Sequence, residues 1–124
     1  MTVDFYIEKG DDLLVRTLKG EVTPDEIIDS MEASMKHPDY RPGMASLIDL
    51  RELVSDSSSA DIREFGEFLI AHADAVEGMR AAVVVSRAVD YGMTRMLQAI
   101  AESPQFNIAL FYDIDEARQW LGVE

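Results

Sequence analysis

Three consecutive serines, Ser57, Ser58 and Ser59, follow Asp56 and precede an apolar repeat that begins at Ile62. A serine hydroxyl in that place accepts a hydrogen bond from a backbone N–H of the first helical turn and caps the helix. The same hydroxyl is also a candidate phosphate acceptor. A phosphate there gains from the free N–H groups and the positive end of the helix dipole, and it adds about −1.5 to −2 charge beside Asp56 and Asp61. That charge would repel an acidic partner or weaken a standing contact. Capping alone accounts for Ser58 or Ser59, so the phosphate reading requires support beyond the spacing.

A second group stands where strands give way to loops: Asp49, Arg51, Ser86, Arg87, Tyr112 and Asp113. Ligands of open parallel sheets sit outside the C-terminal strand ends, so these residues together with Asp56 form a candidate interaction or ligand rim. Asp49, Asp56 and Asp113 are the oxygen donors Mg²⁺ accepts. A phosphoaspartate receiver site, however, needs an acid pair after the first parallel strand and a lysine after the last. Leu18-Lys19-Gly20-Glu21 and Asp113 occupy those places, so no metal and no cofactor is expected. His72 falls on a helical apolar stripe with no serine motif near it, which reads as a satisfied, half-buried imidazole. His37 follows Lys36 at a helix end, where a cation suits the dipole. The hydrolase, phosphate-loop and zinc-protease signatures are absent, and no catalytic residue is assigned. Met31, Met35, Met93 and Met96 repeat on two helices; flexible thioethers fill cores or line pockets for irregular apolar guests.

These residues must be held by 124 residues carrying 11 basic and 24 acidic side chains, a formal charge of −13. The length fits one domain, residues 1–124. The acidic balance argues against nucleic acid and anionic membrane surfaces. No cysteine is present, which excludes disulfides and thiolate chemistry. No apolar run approaches a membrane span, so a cytoplasmic protein is expected.

Asp4–Lys9 and Leu13–Leu18 read as strands joined by the turn Gly10-Asp11-Asp12. Thr23-Pro24-Asp25-Glu26 starts a helix, with Thr23 as cap, Pro24 in the first turn and Glu26 closing a capping box. His37-Pro38 ends it. Ala45–Leu50 is a strand, Arg51–Ser57 a polar loop, and Ile62, Phe65, Leu69, His72 and Val76 the stripe of a second helix. Ala81–Val85 suits a central parallel strand. Asp90–Glu102 is a third helix stopped by Ser103-Pro104. Asn107–Tyr112 is the last strand, and Asp113 caps a final helix ending at Gly122. The order β-β-α-β-α-β-α-β-α predicts an α/β fold: a mostly parallel five-stranded sheet, an antiparallel edge strand and four helices.

The hairpin, the helix start Gly20–Glu26, the strand Ser46-Leu47-Ile48-Asp49-Leu50-Arg51 and the following Asp56-Ser57-Ser58 resemble the STAS fold of anti-sigma-factor antagonists and sulfate-transporter tails. The branch most similar is that of uncharacterised bacterial SpoIIAA-like proteins, with a suggested relation to CRAL-TRIO lipid-binding domains. In the antagonists a strand ending in Asp-Leu or Asn-Leu precedes Asp-Ser-Ser-Gly, whose second serine is phosphorylated by a partner kinase. The resemblance implies Asp49-Leu50 as the strand end and Ser58, then Ser57, as acceptor. Ser59 replaces the glycine, and the loop is about one residue shorter. The expected function is a non-enzymatic regulatory or protein-interaction module with a protein partner, with a homodimer through the aromatic last strand as a second form of contact. The alternative is a small apolar or lipid-like ligand between helices and sheet, in a cavity lined by several of Met31, Met35, Met93, Met96, Phe65 and Leu69.

Overall fold

A computed structural model describes residues 2–101 and 106–123. In chain order the elements are β1 (Thr2–Glu8), β2 (Leu13–Gly20), α1 (Pro24–Met35), β3 (Ala45–Leu53), α2 (Ser59–Ala71), α3 (Ala73–Val76), β4 (Arg80–Val84), α4 (Ala88–Ala101), β5 (Asn107–Phe111) and α5 (Ile114–Leu121). The strands lie side by side in sequence order. β1 pairs antiparallel with β2, and β2 through β5 run parallel. The expected hairpin and parallel crossovers are both present.

The sequential order fixes the layers. Each crossover from β2 to β5 steps the same way across the sheet, so right-handed connections place α1, α2 and α4 on one face. On that face Ala81, Val83, Val85 and Ile108 pack with Met35, Leu69 and Leu97. The alternate residues Leu13, Val15, Leu47, Ala82 and Val84 point to the other face, where Ala117 and Leu121 of α5 cover them. Helix starts follow the sequence: Thr23 Oγ1 accepts from Glu26 N while Glu26 accepts from Thr23 N, and Asp113 caps α5. Gly122, in a left-handed conformation with φ 78°, ends α5.

Strand ends shift by one or two residues from the sequence reading, and three further differences stand out. Among the described residues there are five helices, because α2 stops at Ala71: His72 leaves the helical region (φ −110°, ψ 32°), its Nδ1 lies 2.8 Å from the Phe68 carbonyl oxygen, and the short α3 carries Val76 into the core. β3 continues to Leu53 because β2 extends to meet it, through Lys19 beside Glu52 and Gly20 beside Leu53, beyond a register shift after Thr17. Arg51–Leu53 is therefore strand, not loop. α4 starts two residues early, at Ala88 rather than Asp90; the stop assigned to Ser103-Pro104 lies outside the described residues.

The seams between the three helices differ. Gly66 of α2 is buried, and a Cβ there would run into the side chain of Ile100 on α4, so these two helices meet closely. On α1 the sole buried residue is Ser34, while the apolar stripe of Ile27, Ile28, Met31 and Met35 is only half-buried. Beneath α1 the molecule is hollow.

Candidate functional site

The rim residues fall on two sides of the sheet. Asp49, level with Thr17 and Val84, shares the face that α5 covers. Arg51 grips it with Nε on Oδ1 at 2.9 Å and Nη2 on Oδ2 at 2.8 Å, and the Arg51 backbone N–H donates to Oδ1 at 3.0 Å. Burial pushes the Asp49 carboxyl upward, but the hydrogen bonds and charge of Arg51, with Lys19 nearby, outweigh it and hold the group below the usual carboxylate range. Arg51 is raised by the same pair. Both groups therefore stay charged through neutral pH, the opposite of what an acid–base pair requires.

The other half gathers at the start of α2. Arg87, just before α4, donates to Asp90 through Nε (2.8 Å) and Nη2 (2.9 Å). It also reaches the carbonyl oxygens of Val54 (2.8 Å) and Ser55 (2.9 Å), and its Nη1 lies 3.1 Å from Asp56. The Ser55 hydroxyl donates to the Val22 carbonyl and accepts from the Val22 N–H. Ser86 Oγ donates to the Arg51 carbonyl at 2.9 Å. The loop before α2 is thus fastened to the β4–α4 loop by one guanidinium.

From that fixed loop Ser58 stands out to solvent as the N-cap of α2. Its Oγ accepts from Asp61 N at 3.1 Å, and Asp61 Oδ2 accepts from Ser58 N at 2.9 Å, closing a capping box that the sequence reading had not assigned there. Ser57 turns inward and lines a cavity. Tyr112 is 57% exposed and lies flat on Tyr91 of α4, ring centres 5.4 Å apart. The structure therefore brings together Asp56, Ser57, Ser58 and Arg87, joins Ser86 to Arg51, and leaves Asp49 and Tyr112 apart from the serines.

The cavity, about 170 Å³, lies between the sheet and α1, α2 and α4. Met31, Met35, Met93, Phe65 and Leu69 line it, as the sequence suggested; Met96 does not. Its floor holds a residue that sequence reasoning passed over. Arg16 of β2 is only 6% exposed, and its guanidinium donates to the hydroxyls of Ser30 and, at 2.8 Å, Ser34. Ser34 in turn donates to the Met31 carbonyl at 2.7 Å, which fixes its lone pair toward Arg16. The guanidinium carbon sits 5.6 Å from the Phe5 ring centre. Burial lowers the pKa of Arg16 to about 10, with the Tyr40 hydroxyl opposing the fall, so the group remains a cation at neutral pH. Among the described residues no carboxylate pairs with it. The signal was available: Leu14, Arg16 and Leu18 alternate with period two, which places Arg16 on the inward face. Among the described residues no cluster of His, Asp or Glu has metal-binding geometry.

No family model matches the sequence, and no curated protein matches it. Solved structures do. An uncharacterized protein of the DUF3478 family with a SpoIIAA-like fold, from Shewanella loihica, superposes with a TM-score of 0.63 at 19% identity, over 97% of this chain and 92% of that one. This chain has the SpoIIAA-like fold. An anti-sigma factor antagonist from Mycobacterium paratuberculosis superposes with a TM-score of 0.57 at 16% identity, over 98% and 95% of the two chains. Within the SpoIIAA-like fold of this chain, the serine-capped α2 and the loop before it occupy the helical side of the sheet, and the cavity lies directly beneath.

Proposed function

We propose that this protein is a non-enzymatic regulatory module that acts by binding a protein partner at the surface formed by Asp56, Ser58 and the first turn of α2. The observation that carries this reading is Ser58, an exposed capping serine on a loop held rigid by Arg87. A rigid loop presents the hydroxyl in one geometry, which suits recognition by a kinase or a partner. Phosphorylation would place two further negative charges or nearly so against Asp61, whose carboxylate already sits on the Ser58 N–H, and would break the capping box by repulsion. The modified and unmodified surfaces would then differ in both charge and helix geometry. The likeness in fold to an anti-sigma factor antagonist supports a regulatory role of this kind. The locked Asp49–Arg51 pair and the saturated Arg87 argue against proton-transfer chemistry at the rim.

Mass spectrometry of the protein isolated from its native cells tests the switch. A single phosphate on Ser58, lost in Ser58→Ala, is expected. An unmodified Ser57–Ser59 segment under every growth condition removes the switch. Quantitative cross-linking then tests the surface: a partner held by the wild type should be released by Ser58→Asp.

A second reading is favoured by the cavity: a small apolar ligand held between α1, α2 and the sheet. Its support is the cavity beside α1, lined by Met31, Met35, Met79 and Met93 and by Phe65 and Leu69.

A further inference from the structure

Arg16 is anomalous in this molecule. In a chain with 24 acids against 11 bases, a carboxylate partner is the easiest one to supply. Arg41, Arg51, Arg87 and Arg118 each have one. Arg80 donates instead to the Trp120 and Leu121 carbonyls at the negative end of α5. Arg16 is more deeply buried than any of these and is met by two neutral hydroxyls and an aromatic face. Burying a cation without an anion costs free energy that hydroxyls only partly recover. Asp90, the acid that also lines the cavity, is already taken by Arg87.

We propose that the cavity takes a small amphipathic anion, an alkyl or aryl carboxylate, whose acid group pairs with Arg16 while its apolar body lies among Met31, Phe65 and Leu69. This rests on the second reading above and adds the chemical class of the ligand. The volume sets the size: an apolar cavity of roughly 150 Å³ admits a benzene ring, so one of this size takes a ring or a chain of roughly six to eight carbons. Charge sets the headgroup. A carboxylate accepts two parallel N–H bonds from a guanidinium, a geometry no alcohol can match. The serine hydroxyls help, because Ser34 holds the guanidinium in place while donating elsewhere.

Calorimetric titration with octanoate and with 1-octanol, both below their aggregation limits, tests the proposal. On the wild type, octanoate should bind about tenfold tighter than octanol or better, the worth of a charged hydrogen-bonded pair. Arg16→Met, which keeps the length and apolar stem, should erase that preference and leave octanol binding intact; Arg16→Lys should keep part of it. Equal affinities on the wild type, or a preference that survives Arg16→Met, would overturn the anchor while leaving an apolar cavity. Absence of binding by both probes would overturn the cavity reading and the anchor together. The wild-type comparison needs no variant, so a poorly folding Arg16→Met does not shield the proposal.

Discussion

Arg87 and Arg16 are two guanidiniums of one molecule, the first part-exposed and the second buried, and they are used in opposite ways. Arg87 meets the Asp90 carboxylate, Asp56 and two loop carbonyls. Arg16 meets two hydroxyls and a phenyl ring. The helices differ likewise: α2 and α4 close on each other at Gly66, whereas α1 meets Arg16 through the hydroxyls of Ser30 and Ser34 beside the cavity. A saturated cation fixes structure and has nothing left to offer a ligand. A cation met only by hydroxyls and a ring at the wall of a cavity keeps its charge for something else.

Breaking the saturated side should have the largest effect. Arg87→Met leaves Asp90, 6% exposed, as a buried acid without its partner and frees two loop carbonyls. A loss of about 3 kcal/mol in urea unfolding is expected, and Asp90→Leu added to Arg87→Met should recover much of it. A loss under 1 kcal/mol, on the order of a surface pair, would show that Arg87 is not the clamp described. Next, Gly66→Val forces its side chain against Ile100 and should cost about 2 kcal/mol by overpacking. The double variant Gly66→Val with Ile100→Ala should cost less than the sum of the two single changes; additive losses would contradict a close seam. Smallest, and of opposite sign, Arg16→Met without ligand should stabilise the protein by about 1 kcal/mol, because it removes a buried charge that no carboxylate among the described residues pairs with. A loss comparable to that of Arg87→Met would mean that Arg16 is simply another structural arginine.

Local signals carried most of the fold. The capping box of Thr23 and Glu26, the cap Asp113 and the stop Gly122 depend on neighbours in the chain and were readable there. The alternating order of elements was enough to predict the parallel sheet. Signals set by distant partners were not readable. β3 reaches Leu53 because β2 extends alongside it, and the Arg51–Leu53 segment has the polar look of a loop. The break at His72 follows from a ring nitrogen turning to the Phe68 carbonyl, while the apolar spacing continued unbroken to Val76. Of the site, Ser58 was legible as a cap and the methionines as pocket candidates. The guanidinium beneath them was marked by its position between Leu14 and Leu18, yet its meaning depended on Ser30 and Ser34 arriving from α1. No local pattern announces the absence of a carboxylate.

The contrast between the two arginines can be read directly by nuclear magnetic resonance. The Nε–Hε signals of Arg16 and Arg87 in ¹⁵N-labelled protein would be assigned through Arg16→Met and Arg87→Met and followed as octanoate is added. A saturable shift of the Arg16 signal is expected of an anchoring Arg16, with Arg87 unmoved. A silent Arg16, or a shift at Arg87 instead, would contradict it.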